Sequence, residues 1–140
     1  MMGSHPTLLL LIALGGALGS VLRFIVGGWF ARFATQWSTE MAFPMATLAV
    51  NLLGSFCIGI AIIAREQGLR DPGHREFLRG FLIIGLLGGF TTFSTFSLET
   101  VQLLVNSFWV KAMLNIIASI ITCILAAWAG LSTGRLLIQG

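Results

Sequence analysis

Four stretches of the chain, Thr7–Phe30, Pro44–Ala64, Phe77–Val105 and Phe108–Leu131, are almost wholly apolar, with no more than two charged side chains apiece. About 20 apolar residues in a helix cross the hydrocarbon core of a bilayer, so the pattern predicts four transmembrane helices. Composition closes off the soluble alternative. Only 9% of the residues are charged and 56% are hydrophobic, whereas soluble domains carry roughly 25% charged residues. The expectation is an all-α integral membrane protein in a single four-helix domain spanning 1–140, since 140 residues leave no room for a second.

The connections carry the remaining information on topology. ARFATQWSTEMAF joins the first two spans, with a Trp and a Phe suited to the membrane interface. REQGLRDPGHRE joins the second and third, and Pro72-Gly73 predicts that no helix passes through it. A few residues around Asn106-Ser107 join the last two spans in a tight hairpin. An even number of spans puts both termini on one side, together with Arg65, Arg70, Arg75, Arg79 and Arg135, against Arg32 and Lys111 on the other. That bias predicts cytoplasmic termini in the cell membrane, the inner or plasma membrane. The net charge of +3 is spread over short loops, which argues for topology rather than nucleic acid. The N-terminus has no basic region and no A-x-A cleavage pattern after the first apolar run, so that run reads as a retained helix. Cys57 and Cys123 both fall in apolar runs, outside any CxxC or Cys/His cluster, and the spacing predicts neither a disulfide nor a zinc site.

The third span is the unusual one. It is long for one untilted helix, and at its centre stands GGFTTFSTFS, residues 88–97. Paired glycines and five hydroxyl residues suit either a close helix-packing surface or a break between two half-helices. Backbone unwound at membrane depth must be satisfied by protein, water or an ion, and such breaks often carry an ion site.

Polar residues recur at helical spacing elsewhere. Thr47, Asn51, Ser55 and Gly59 share one face of the second span; Asn115, Ser119 and Cys123 share one face of the fourth, with Thr122 close beside them. Each alone suits an interhelical hydrogen bond, but two stripes facing a hydroxyl-rich segment suggest a polar pathway. It offers amide and hydroxyl donors and one carboxylate, Glu99, within any span. Cation routes show acidic rings; donors suit an anion. Phe93 and Phe96, three residues apart, present rings with a positive edge that can meet a small anion, or they simply pack. Enzyme chemistry finds little material. The histidines are His5 and His74, outside the spans, and no Ser/His/Asp set, carboxylate pair or phosphate loop stands within them.

GGFTTFSTFSLE closely resembles the signature of the Fluc/CrcB family of fluoride channels, GGxTTFSTFSxE. GGALGSVLRF with Arg23, TLAVNLLGSFCIG with Asn51, and NIIAS in the fourth span fit the same family, and the resemblance covers nearly the whole chain. It implies passive fluoride export that relieves fluoride toxicity, no enzyme activity, and an antiparallel, dual-topology homodimer whose third helix is broken mid-membrane. It further implies a structural sodium ion at the dimer interface, held by backbone carbonyls of Gly88 and Thr91 from each subunit. By position, Phe93 and Phe96 would line the fluoride pathway, with Asn51, Ser119, Asn115, Ser94 and Thr95 along it. Arg23 and Glu99 would face a vestibule or serve structure. The family's track often continues with a Thr where this chain has Cys123; Thr122 stands beside it, rotated by about 100°.

Two other readings fit the size. A small four-span exporter, of drugs or as a proton-coupled anion carrier, should carry a carboxylate deep in its first span, where this chain has Arg23. A purely structural membrane subunit would need neither the hydroxyl cluster nor the polar stripes.

Overall fold

The structure, a computed structural model, describes residues 6–35, 43–68 and 72–139, and every regular element among them is helical. α1 (Pro6–Thr35) is followed by α2 (Met45–Ile63), which runs on into a wide π-type turn over Ala64–Gly68. α3 (Pro72–Phe77), a π-wound stretch over Leu78–Leu87 and α4 (Gly88–Phe90) follow one another without a gap, and then come α5 (Phe93–Val105) and α6 (Trp109–Gln139). Four segments are long and apolar enough to cross a membrane: Pro6–Arg32, Met45–Glu66, Pro72–Val105 and Trp109–Ile138. The protein is a multi-pass membrane protein of four helical spans.

The charged connection is shorter than its composition predicts. Pro72, expected to exclude helix, opens one instead. Proline suits the first helical position because the N–H it lacks would have no intrahelical partner there. Arg70 and Asp71 of that connection, and Trp37 of the preceding one, lie outside the described residues. At the tight hairpin, Ser107 takes φ of 66°. Its N–H donates to the Leu104 carbonyl at 3.0 Å and the Phe108 N–H to the Leu103 carbonyl at 2.8 Å, which caps α5 as a Schellman motif.

Glycines set how closely the helices approach. α1 lies along the π-wound stretch and α4, and α2 lies along α6. A Cβ on Gly19 would fall onto the Leu86 carbonyl, and one on Gly15 onto the Phe81 carbonyl. Gly130 of α6 meets the Phe56 carbonyl of α2 in the same way. Such small-residue contacts hold membrane helices together where lipid tails remove the hydrophobic incentive to associate. The interior is narrow: Val50, Leu87, Leu103, Ala112 and Asn115 are buried, while Phe24, Phe93, Trp109 and Trp128 stand outward.

Gly19→Val should therefore destabilise the fold by about 1–3 kcal/mol or prevent it, as overpacking does. Gly28→Ala, with no described residue within 4 Å of the added carbon, should leave it unchanged. Thermal unfolding in detergent compares the two; equal midpoints would show that the α1 contact is not tight.

Candidate functional site

α4 ends at Phe90, and the next two residues are extended: Thr91 has φ −76° and ψ 154°, Thr92 φ −148° and ψ 111°. α5 starts at once with Phe93. Two extended residues between helices leave backbone groups to be satisfied in an interior without water. Asn51 of α2 takes up both groups of Thr92. Its Oδ1 accepts the Thr92 N–H at 2.7 Å, and its Nδ2 donates to the Thr92 carbonyl at 3.0 Å. The Thr92 side chain caps α5, its Oγ1 accepting from the Thr95 N–H at 3.3 Å while it donates to Thr95 Oγ1 at 3.0 Å.

These substitutions release two specific carbonyls. In an unbroken helix the Thr92 N–H would bond Gly88 and the Thr95 N–H would bond Thr91. Here the first goes to Asn51 and the second to Thr92 Oγ1. Arg23 of α1 reaches the Thr91 carbonyl, its Nη1 donating at 3.3 Å. Thr91 itself folds back, with its N–H and its Oγ1 both 3.0 Å from the Leu87 carbonyl.

The extended pair separates two grooves, and Thr92 lines both. One groove, about 420 Å³, is walled by Asn51, Phe93, Phe96, Ser119 and Cys123. Among the described residues its lining includes Ser55 and apolar side chains but no charged one. The Phe93 and Phe96 rings lie 5.4 Å apart at 43°, and Phe93 is 77% exposed, so this groove is open along the outer side of the single chain. The other, about 460 Å³, is lined by Ser20, Arg23, Phe24, Thr47 and Thr95 among others.

The residues singled out in the sequence thus divide. Asn51, Phe93, Phe96 and Ser119 share the uncharged groove, and Thr95 and Arg23 share the second. Ser94 is exposed, with its Oγ 3.3 Å from Thr92 Oγ1. Asn115 lines neither groove: 1% exposed, it donates to Thr100 Oγ1 at 2.9 Å and accepts from Ser119 Oγ at 3.4 Å, joining α5 to α6. Thr100 in turn donates to the Phe96 carbonyl at 2.7 Å, so a buried chain of hydrogen bonds backs the Phe96 turn. Cys123 lines the groove, whereas Thr122 bonds back to the Ala118 carbonyl at 2.7 Å. Glu99 accepts from Thr47 Oγ1 at 2.8 Å, and its Oε2 is buried with no hydrogen-bond partner among the described residues. The pairings of Asn51 with Thr92 and of Arg23 with Thr91 join residues 41 and 68 apart, and no local pattern announces either.

The family profile described as "CrcB-like protein, Camphor Resistance (CrcB)" matches residues 10–131, most of the chain and all of both grooves. The chain belongs to the CrcB family. Its relatives there include the fluoride-specific ion channel FluC of Magnetococcus marinus, 44% identical over 130 residues, which cover 90% of this chain and 96% of the relative. The proteins of the same name from Pelobacter propionicus and Geobacter sulfurreducens are each 44% identical as well. The matches cover 94% and 92% of this chain, and 95% and 98% of those relatives.

In this CrcB chain the Asn51 amide is a structural splint. Asn51→Leu should strand both Thr92 groups, at about 1–3 kcal/mol for each unsatisfied group. Asn51→Asp sets a carboxylate against the Thr92 carbonyl when ionised, so it should recover stability over Asn51→Leu only at acidic pH, where the protonated carboxyl keeps both an acceptor and a donor. Thermal midpoints that fail to separate wild type from Asn51→Leu would show that the pairing holds nothing.

Proposed function

We propose that this protein is a fluoride-selective channel, not an enzyme, and that it lets fluoride leave the cell passively and so relieves its toxicity. The name of its FluC relatives, fluoride-specific ion channels, supports the reading, and one observation in this chain carries it. The groove at the extended pair joins amide and hydroxyl groups to two phenylalanine rings and, among the described residues, has no charged side chain in its lining. A small, strongly hydrated anion gives up its water only where donors replace it. Asn51 uses one N–H on Thr92 and keeps a second, and Ser55 adds a hydroxyl; the Ser119 hydroxyl, which donates to Asn115 at 3.4 Å, would have to leave that long bond to turn to the anion. Phe93 and Phe96 extend the path through apolar surroundings with the positive edges of their rings. A cation has no carboxylate to follow there, and a larger, more weakly hydrated anion gains less from the donors.

The working unit is a pair of antiparallel chains in which Phe93, so exposed in one chain, is covered by the second. The third helix is broken at the bilayer's mid-depth, and the break forms the centre of the pair. The carbonyls of Gly88 and Thr91 would hold a sodium ion there. Neutral oxygens of this kind suit a hard cation, and two from one chain are too few to surround it, which fits a site shared by two chains. The ion would supply a fixed positive charge and bind the two breaks together; the protein's part is to keep the carbonyls released, through Asn51 and the Thr92 cap.

Liposomes loaded with fluoride should lose it rapidly when the protein is present, without any imposed proton or sodium gradient, and should retain chloride. A strict requirement for a proton gradient would indicate a coupled carrier instead. Replacing either Phe93 or Phe96 by Ile keeps apolar bulk and removes the ring edge. Each change should cut fluoride flux on the order of tenfold or more, the effect of raising a barrier by about 1.4 kcal/mol, in a protein that still folds. Full flux in both variants would mean that the rings only pack.

A further inference from the structure

The carbonyl proposed for the cation already has a cationic neighbour. Arg23 Nη1 donates to the Thr91 oxygen at 3.3 Å. This oxygen is free to receive it because the Thr95 N–H has gone to the Thr92 side chain. Arginine cannot shed its charge to make room for a second cation. A guanidinium and a metal ion on one carbonyl stand a few ångströms apart in a site poor in water, where like charges are weakly screened. Each therefore weakens the other's hold on that oxygen.

Arg23 has somewhere to go. Its side chain also lines the second groove, with Ser20, Thr47 and Thr95. Behind Thr47 stands Glu99, held by the Thr47 hydroxyl through one oxygen, with the other buried and without a hydrogen-bond partner among the described residues. A guanidinium leaving Thr91 therefore meets hydroxyl acceptors on the groove side, with a carboxyl group behind Thr47 rather than in the groove lining.

We propose that Arg23 and the bound cation compete for the Thr91 carbonyl, so that cation binding in the paired protein turns the Arg23 guanidinium into the groove lined by Ser20, Thr47 and Thr95. There it places a fixed positive charge beside the approach to the extended pair, the sign that draws an incoming anion. This inference rests on the sodium reading above. Competition is reciprocal: whatever the cation takes from Arg23, Arg23 takes from the cation. Removing the charge must therefore tighten the cation.

The test measures pairing of the purified full-length protein in detergent as sodium chloride is replaced by N-methylglucamine chloride at constant ionic strength. In Arg23→Gln and Arg23→Met the sodium concentration that half-maximally supports pairing should fall on the order of tenfold, within the range typical of coupled sites. Arg23→Gln can still donate to Thr91 without a charge and decides the matter if Arg23→Met fails to fold. In the wild type, the side-chain nitrogen resonances of Arg23 should shift with sodium at the same midpoint as pairing. Sodium-dependent pairing with an unchanged or higher midpoint in Arg23→Gln, or with static Arg23 resonances, would overturn the competition and leave the cation site standing. Pairing indifferent to sodium in every chain would overturn the cation site and the competition together.

Discussion

One side-chain amide holds the centre of this protein. Two extended residues in a membrane helix would leave backbone groups without partners, at a cost no bilayer can offset with water. Asn51 presents an acceptor and a donor in the same spacing as a neighbouring strand would, and Thr92 takes both. The interruption is thereby satisfied from a different helix, and the carbonyls of Gly88 and Thr91 lose the donors that an unbroken helix would give them. Both grooves meet at Thr92, so the surfaces that an anion could follow and the oxygens that a cation could use come from the same local event.

The rest of the fold keeps that event in place. Gly15, Gly19 and Gly89 let α1 and the first part of the third span lie almost backbone to backbone, which brings Arg23 within reach of Thr91. Gly59 and Gly130 do the same for α2 and α6, and this brings Ser119 opposite Asn51 across the groove. Asn115, Thr100 and the Phe96 carbonyl then fix α5 against α6 from behind. Helix packing through glycines leaves few side chains to absorb displacement, so the polar contacts are held by backbone positions.

Much of this was legible in the chain. Four apolar helices follow from four apolar runs, because hydropathy and length alone decide what a bilayer accepts. The stretch GGFTT stood out because glycine and hydroxyl residues are poor choices for a lone apolar helix, and the extended residues lie within it. The faces of α2 and α6 followed from spacing of four, although that spacing put Thr47 and Asn115 on stripes whose members do different work. Thr47 holds Glu99, and Asn115 ties two helices together. What sequence could not supply is the partner of each polar group, since Asn51–Thr92 and Arg23–Thr91 are contacts between distant segments. Pro72 was misjudged for a local reason: a proline that ends one helix is also the best first residue of the next.

The central claim is that the third span is interrupted at Thr91–Thr92, with Asn51 as its splint and a second chain completing the site. An experimental structure in lipid nanodiscs with sodium present tests it most directly. The account predicts two antiparallel copies, with Thr91 and Thr92 extended in each. The Asn51 amide should lie close to the 2.7 and 3.0 Å separations from Thr92 found here, with density for a cation among the Gly88 and Thr91 carbonyls of both chains. A continuous helix through residues 88–95, with Asn51 turned away and no density on the axis between the chains, would contradict it.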